Sequence, residues 1–195
     1  MSNRILNLSQ PPKVAYITAG DPDIATTEKL ILELEATGAN IIEIGVPFSD
    51  PIAANPAIQA AEERALLAGF TVDKLFAMVM GLRPKTTVAL VLSTYANPIF
   101  AYGTAKFMAQ CQAVGVDGVV VTDAPFEEMD EFAKECEAHQ VCLISVLAPT
   151  SPERLKKIAL NAKGYLRCVS SPSGVDAATL VAEVAKFTAV PCVIH

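Results

Sequence analysis

Residues 41–59 are Ile-Ile-Glu-Ile-Gly-Val-Pro-Phe-Ser-Asp-Pro-Ile-Ala-Ala-Asn-Pro-Ala-Ile-Gln, a buried-strand pattern that runs into a Pro-rich loop. The first four are Ile-rich and lie between Gly38 and Gly45-Val46-Pro47, the pattern of a short parallel strand buried on both faces. Glu43 interrupts that pattern. A carboxylate inside such a strand is unfavourable unless it is hydrogen-bonded or used in chemistry, so two readings are open. One is a structural Glu bonded to a neighbouring hydroxyl or amide. The other is a functional acid or base near the C-terminal end of a strand, and the long Pro-rich loop that follows favours it.

Working outward, apolar β-rich runs alternate with amphipathic helical runs along the whole chain. The pattern predicts strands over 14–18, 40–44, 88–93, 118–122, 142–147, 165–169 and 191–194. It predicts helices over 26–37, 56–68, 72–82, 104–114, 127–138, 152–162 and 177–188. Ser151-Pro152-Glu153 sets a capping Ser before a Pro at the first helical position, and Gly38, Gly69 and Gly115 close helices. This βαβ rhythm, with no linker, predicts one α/β domain over residues 1–195 built on a parallel sheet. Seven strands suit an open doubly wound sheet. They also suit an incomplete (β/α)8 TIM barrel lacking its C-terminal βα unit, since a full barrel takes roughly 250 residues.

The chain has 195 residues, 52% of them hydrophobic, with a mean hydropathy of +0.39, enough for a large core. A net charge of −6 and a pI near 4.9 argue against nucleic acid or an anionic membrane as the main partner and leave small anionic ligands. No apolar run reaches the ~20 residues of a membrane span, and residues 1–7 lack the apolar core of a signal peptide, so a cytoplasmic location is expected. Cys111, Cys136, Cys142, Cys168 and Cys192 are odd in number and widely spaced, fitting reduced packing residues better than disulfides or a metal site. His139 and His195 support neither a Ser-His nor a zinc arrangement. Met78 and Met80 read as helix core, and Arg83-Pro-Lys85 and Lys156-Lys157 as solvated helix ends.

Three loop signatures stand at predicted strand ends: Thr18-Ala-Gly-Asp-Pro22, Gly45-Val-Pro-Phe-Ser-Asp-Pro51 and Ser93-Thr-Tyr-Ala-Asn-Pro98. With Gly-Val-Asp-Gly at 115–118 and Ala-Pro-Thr-Ser-Pro-Glu-Arg at 148–154, they make the chain resemble the tryptophan synthase α subunit over nearly its whole length. The resemblance implies a TIM barrel that cleaves indole-3-glycerol phosphate by a retro-aldol reaction into indole and glyceraldehyde 3-phosphate. It implies no metal or organic cofactor in this subunit, and a pyridoxal-phosphate β subunit as partner in a heterotetramer.

By the same resemblance, Glu43 matches the glutamate that shuttles protons. Tyr16, Ile58, Gln59, Tyr95, Thr122, Asp123 and Gly174 match substrate-pocket or loop positions, and Pro47, Asp50, Asn97 and Pro98 match the face toward the partner. For Tyr16 and Ile58, barrel packing is an equally good reading.

Several positions depart from the family pattern. Ala54 stands where the family has a second catalytic aspartate, Asn55 replaces the adjacent glycine, and Arg167 replaces a frequent active-site tyrosine. Residues after Gly174-Val175 depart from the family's mobile loop, and the phosphate-binding loops expected after strands seven and eight lie past His195. These departures motivate a second expectation, a catalytically impaired or inactive truncated paralogue acting as a binding subunit.

Overall fold

The computed structural model describes residues 3–169 and 177–194. Strands β1 (Val14–Thr18), β2 (Ile41–Gly45), β3 (Ala89–Thr94), β4 (Gly118–Val121) and β5 (Cys142–Leu143) pair in that order, all parallel. Strands β6 (Ser145–Leu147), β7 (Leu166–Cys168) and β8 (Cys192–Ile194) form a second parallel run. Only Ile144 separates the two. Its N–H still bonds the Val119 carbonyl at 2.9 Å, while Ser145 onward pairs with β7. The segment predicted as one strand over 142–147 therefore changes neighbours at Ile144, and the sheet has seven strand positions. No pairing joins β8 to β1 among the described residues.

The helices are α1 (Ile24–Ala36), α2 (Pro56–Leu67), α3 (Val72–Leu82), α4 (Ala96–Tyr102), α5 (Thr104–Val114), α6 (Asp130–Ala138), α7 (Pro152–Asn161) and α8 (Ala177–Val184). Helix α4 corrects the reading of Tyr95–Pro98 as loop, because Pro98 falls in a first turn, where no intrahelical N–H is needed. Gly103, at φ 92°, separates α4 from α5.

Alternation along the strands divides the side chains into two layers. Ile42, Ile44, Leu90, Leu92, Val119 and Val121 pack outward on Ile31, Leu75, Val79, Phe107 and Cys111 of the helices. Ile41, Ala89, Val91, Val120, Cys142, Ile144 and Tyr165 gather inside the sheet around Ile5, which plugs its N-terminal end from a 3-10 turn, Ile5–Asn7. Any side chain on Gly118 would meet Ile5 at 3.0 Å and the Cys142 carbonyl at 3.1 Å. Leu147, Leu166 and Cys168 pack outward on α7 and α8.

The cysteines are free, and all but Cys192 are buried. Two lesser expectations fail. Met80 is 62% exposed, because it lies on the outer face of α3, whereas Met78 is buried. Arg83 is not a solvated end: its aliphatic stem folds over Gly115, its guanidinium donates to the Val88 carbonyl at 2.9 Å, and burial lowers its pKa to about 10. No single described helix is long and apolar enough to cross a membrane.

Candidate active site

Glu43 sits at the centre of β2 rather than near its C-terminal end as expected, because the strand runs on through Gly45, and its side chain lies inside the sheet with no exposed surface. Register places it between Tyr16 of β1 and Val91 of β3. A phenol and a guanidinium from the far side of the interior face it. The Tyr165 phenol donates to Oε1 at 2.6 Å, and Arg167 Nη1 lies 3.5 Å from Oε2 while donating to Ser93 Oγ at 3.0 Å. Tyr165 and Arg167 both point inward because they are two apart on one strand. Burial, then the Glu43 charge and the hydrogen bond to it, hold the Tyr165 phenol well above its usual range. Arg167 is 9% exposed, and desolvating a guanidinium this far costs several kcal/mol unless partners offset it. Glu43 and Ser93 are those partners, so the carboxylate and the guanidinium depend on each other.

Tyr16 lies across Gly45: a Cβ there would stand 2.0 Å from the phenol oxygen. Only glycine admits this overlap, which explains the Gly of the Glu-Ile-Gly word in packing terms. Burial first, and then the charge of Glu62, push Tyr16 up to about 12. Tyr95 is 5% exposed, its ring 5.3 Å from that of Phe48 at 36°. Its phenol is raised by burial and then by Glu62, and interacts with the Ala53 backbone and the Thr122 side chain. Thr122 itself donates to the Thr94 carbonyl at 2.9 Å.

The remaining predicted positions are spread around the same mouth. Ile58 is half-buried in the first turn of α2. Gln59 is exposed, and its Nε2 donates to the Ala54 carbonyl at 2.8 Å. Asn55 is the N-cap of α2, accepting from Ile58 N at 3.0 Å ahead of Pro56 at the first helical position. Asp123 is exposed and accepts from Ala96 N at 2.8 Å. Gly174 lies outside the described residues. Of the partner-face positions, Asp50 and Asn97 are exposed, Pro98 is half-buried and Pro47 is buried, with Ile52 and Phe100 exposing apolar surface beside them.

Sequence reasoning missed Tyr165 as the Glu43 partner and missed Glu62 altogether. Tyr165 was findable from its period-two spacing to Arg167. Glu62 is four residues past Ile58 and therefore on the same face of α2. It is 3% exposed. Burial pushes its pKa up to about 7, against one stabilising bond from the Phe48 N–H. Its Oε2 has no hydrogen-bond partner.

A cavity of about 430 Å³ lies elsewhere, where the strands part at Ile144, lined by Met129, Val146, Arg154 and Lys163 among others. It touches the mouth only through Thr122 and Asp123 and does not include Glu43. No group of three or more His, Cys, Asp or Glu is placed to hold a metal among the described residues.

A parallel sheet wrapped by helices, with a carboxylate, a phenol and a guanidinium meeting inside it, makes this a protein of the β/α-barrel class, here an incomplete (β/α)8 barrel. A family model described as tryptophan synthase alpha chain matches residues 6–193, and the chain belongs to that family. Tryptophan synthase alpha chains of Alkaliphilus metalliredigens and Geotalea uraniireducens are 43% and 47% identical to it, covering 88% and 87% of this chain. The chain spans about two thirds of the length of these relatives, 67% and 64%. A solved tryptophan synthase complex from Pyrococcus furiosus superposes with a TM-score of 0.86 at 35% identity, covering 93% of this chain and 75% of that one. A ligand-free tryptophan synthase from M. tuberculosis gives 0.87 at 30%, covering 94% and 73%.

Proposed function

We propose that the chain acts as the lyase subunit of a tryptophan synthase, cleaving indole-3-glycerol phosphate to indole and glyceraldehyde 3-phosphate. The observation that carries this is Glu43, fully buried yet facing Tyr165 and Arg167 inside the barrel of this family's fold. The reaction needs a proton delivered to indole C3, a proton taken from the glycerol hydroxyl, and stabilisation of positive charge on the ring meanwhile. The ring accepts the electrons of the breaking C–C bond, so the chemistry runs on side chains, without an organic cofactor or metal in this subunit. Glu43 handles protons. Tyr16 and Tyr95 flank the indole, with Ile58, Gln59, Thr122 and Gly174 completing the pocket.

A solved relative from Pyrococcus furiosus is described as an α2β2 complex. On that basis a tryptophan synthase β chain is the proposed partner, docking on the mouth loops that carry Pro47, Asp50, Asn97 and Pro98 and receiving indole directly. We take the chain as one domain working in the cytoplasm as part of tryptophan biosynthesis. The test is indole release from indole-3-glycerol phosphate, with and without a β chain. Turnover that Glu43→Gln abolishes is the expected result; absence of indole from the unaltered chain in both conditions overturns the reading.

A further inference from the structure

Glu62 has no part in the mechanism above, yet its carboxyl is buried with one oxygen unmatched. It is 3% exposed, receives one backbone N–H, from Phe48, and leaves Oε2 buried without a hydrogen-bond partner. A helix residue with that burial is ordinarily apolar. Its surroundings are aromatic: its charge reaches Tyr16 from β1 and Tyr95 from the loop after β3, and Phe48 stacks on Tyr95. Arg167 of β7 also acts on Tyr16, but it is held by Glu43 and Ser93. Tyr16 thus neighbours Glu43 by strand register and also feels the charge of Glu62.

We infer that Glu62 is a second proton-transferring carboxyl of this site, giving its proton to C3 of the indole ring while Glu43 takes the proton of the glycerol hydroxyl. The inference rests on the lyase reading and divides its proton work between two groups. Glu43, facing a phenol and a guanidinium, has the surroundings of a proton acceptor. Glu62, in an apolar wall with a free oxygen and a pKa near 7, has those of a donor.

The step balances. The Glu62 O–H bond breaks as a C–H bond forms at C3, leaving positive charge on the ring. Glu43 then removes the hydroxyl proton, the O–H electron pair becomes the new carbonyl bond, and the C–C bond breaks. Its electron pair returns to the ring as neutral indole. Glu62 ends ionised and Glu43 protonated, and one proton passes between them through solvent before the next turnover. No oxidant or reductant is consumed.

The test compares unaltered chain, Glu43→Gln, Glu62→Gln and Glu62→Asp, each with a β chain, for indole release between pH 5 and 9. A donor must be protonated to act, so the unaltered chain should lose kcat/KM above about pH 7. Glu62→Gln should lower kcat by ~10²-fold or more, leave KM within about threefold and erase that alkaline limb, with Glu62→Asp recovering part of the rate. A second readout needs no turnover: an infrared band of a protonated carboxyl at pH 6 that disappears in Glu62→Gln. Full activity and an unchanged alkaline limb in Glu62→Gln, with Glu43→Gln inactive, overturns the assignment of Glu62 and spares the lyase reading. So does absence of the infrared band. No indole from the unaltered chain is seen before any variant is compared, and removes both.

Discussion

Two carboxyl groups buried to the same 3%, Asp117 at the N-terminal end of the barrel and Glu62 at its mouth, are treated in opposite ways. Asp117 Oδ1 accepts from Arg4 N at 2.9 Å and Arg4 Nη1 at 3.2 Å, and Oδ2 accepts from Leu90 N at 3.0 Å. Three donors, two of them backbone, meet it, and together they tie the Ile5 plug and β3 to β4. Glu62 has one donor and one oxygen left over. The difference separates structure from chemistry: a satisfied carboxylate holds elements together, while an unsatisfied one stores unfavourable free energy that a substrate or a proton can relieve.

The largest expected effect lies at Glu43, inside the barrel. Glu43→Gln should lower indole formation by ~10²–10⁴-fold, measured as initial rates, since the amide cannot take a proton. It also leaves Arg167 without a charged partner, so melting must show that the variant is folded.

Next is Asp117→Ala at the closed end. It should destabilise the fold by about 3 kcal/mol in denaturant titrations, because Arg4 and the Leu90 N–H lose their acceptor. The kcat of the folded fraction should not change. If activity falls and stability holds, the division between the two ends is wrong.

Gly45→Ala should cost about 1–3 kcal/mol, because Tyr16 must leave its place across the strand. A raised KM for indole-3-glycerol phosphate would sharpen the placement of Tyr16 in the pocket. An unchanged KM would confine it to packing.

The smallest effect is in the pH dependence of stability. Folded Glu62 has a pKa of about 7, above its ordinary 4.5, so the folded state binds more protons than the unfolded one between those values. Stability from this group is therefore greatest below 4.5 and is lost as pH rises through about 7. Glu62→Gln should remove that slope and be more stable than the unaltered chain above pH 7 by about 1–2 kcal/mol. Parallel stability-versus-pH curves would show that burial does not move the titration of Glu62 and would remove the contrast.

The alternation of apolar strand and amphipathic helix, the capping residues and Glu43 as the odd carboxylate were legible in residues read in order, because each depends on a period or a near neighbour. Helix α4 was hidden by Asn97-Pro98, which reads as a turn until the proline's place in the first turn is known. The exchange of partners at Ile144 was invisible as well, because strand propensity carries no information on which neighbour a strand chooses.

The site divides along the same line. Glu43 could be named from its strand, but its partners, Tyr165 and Arg167, stand more than a hundred residues away. Glu62 is one of two adjacent acidic residues on α2 until the fold brings it within reach of Tyr16 and Tyr95. Read in order, the residues were enough for the class of fold, the family and one candidate carboxylate, since these follow from local pattern. Which donors face that carboxylate, and which second carboxyl is buried without them, only the tertiary structure decided, because desolvation and hydrogen bonding are properties of neighbours brought together by the closing of the sheet.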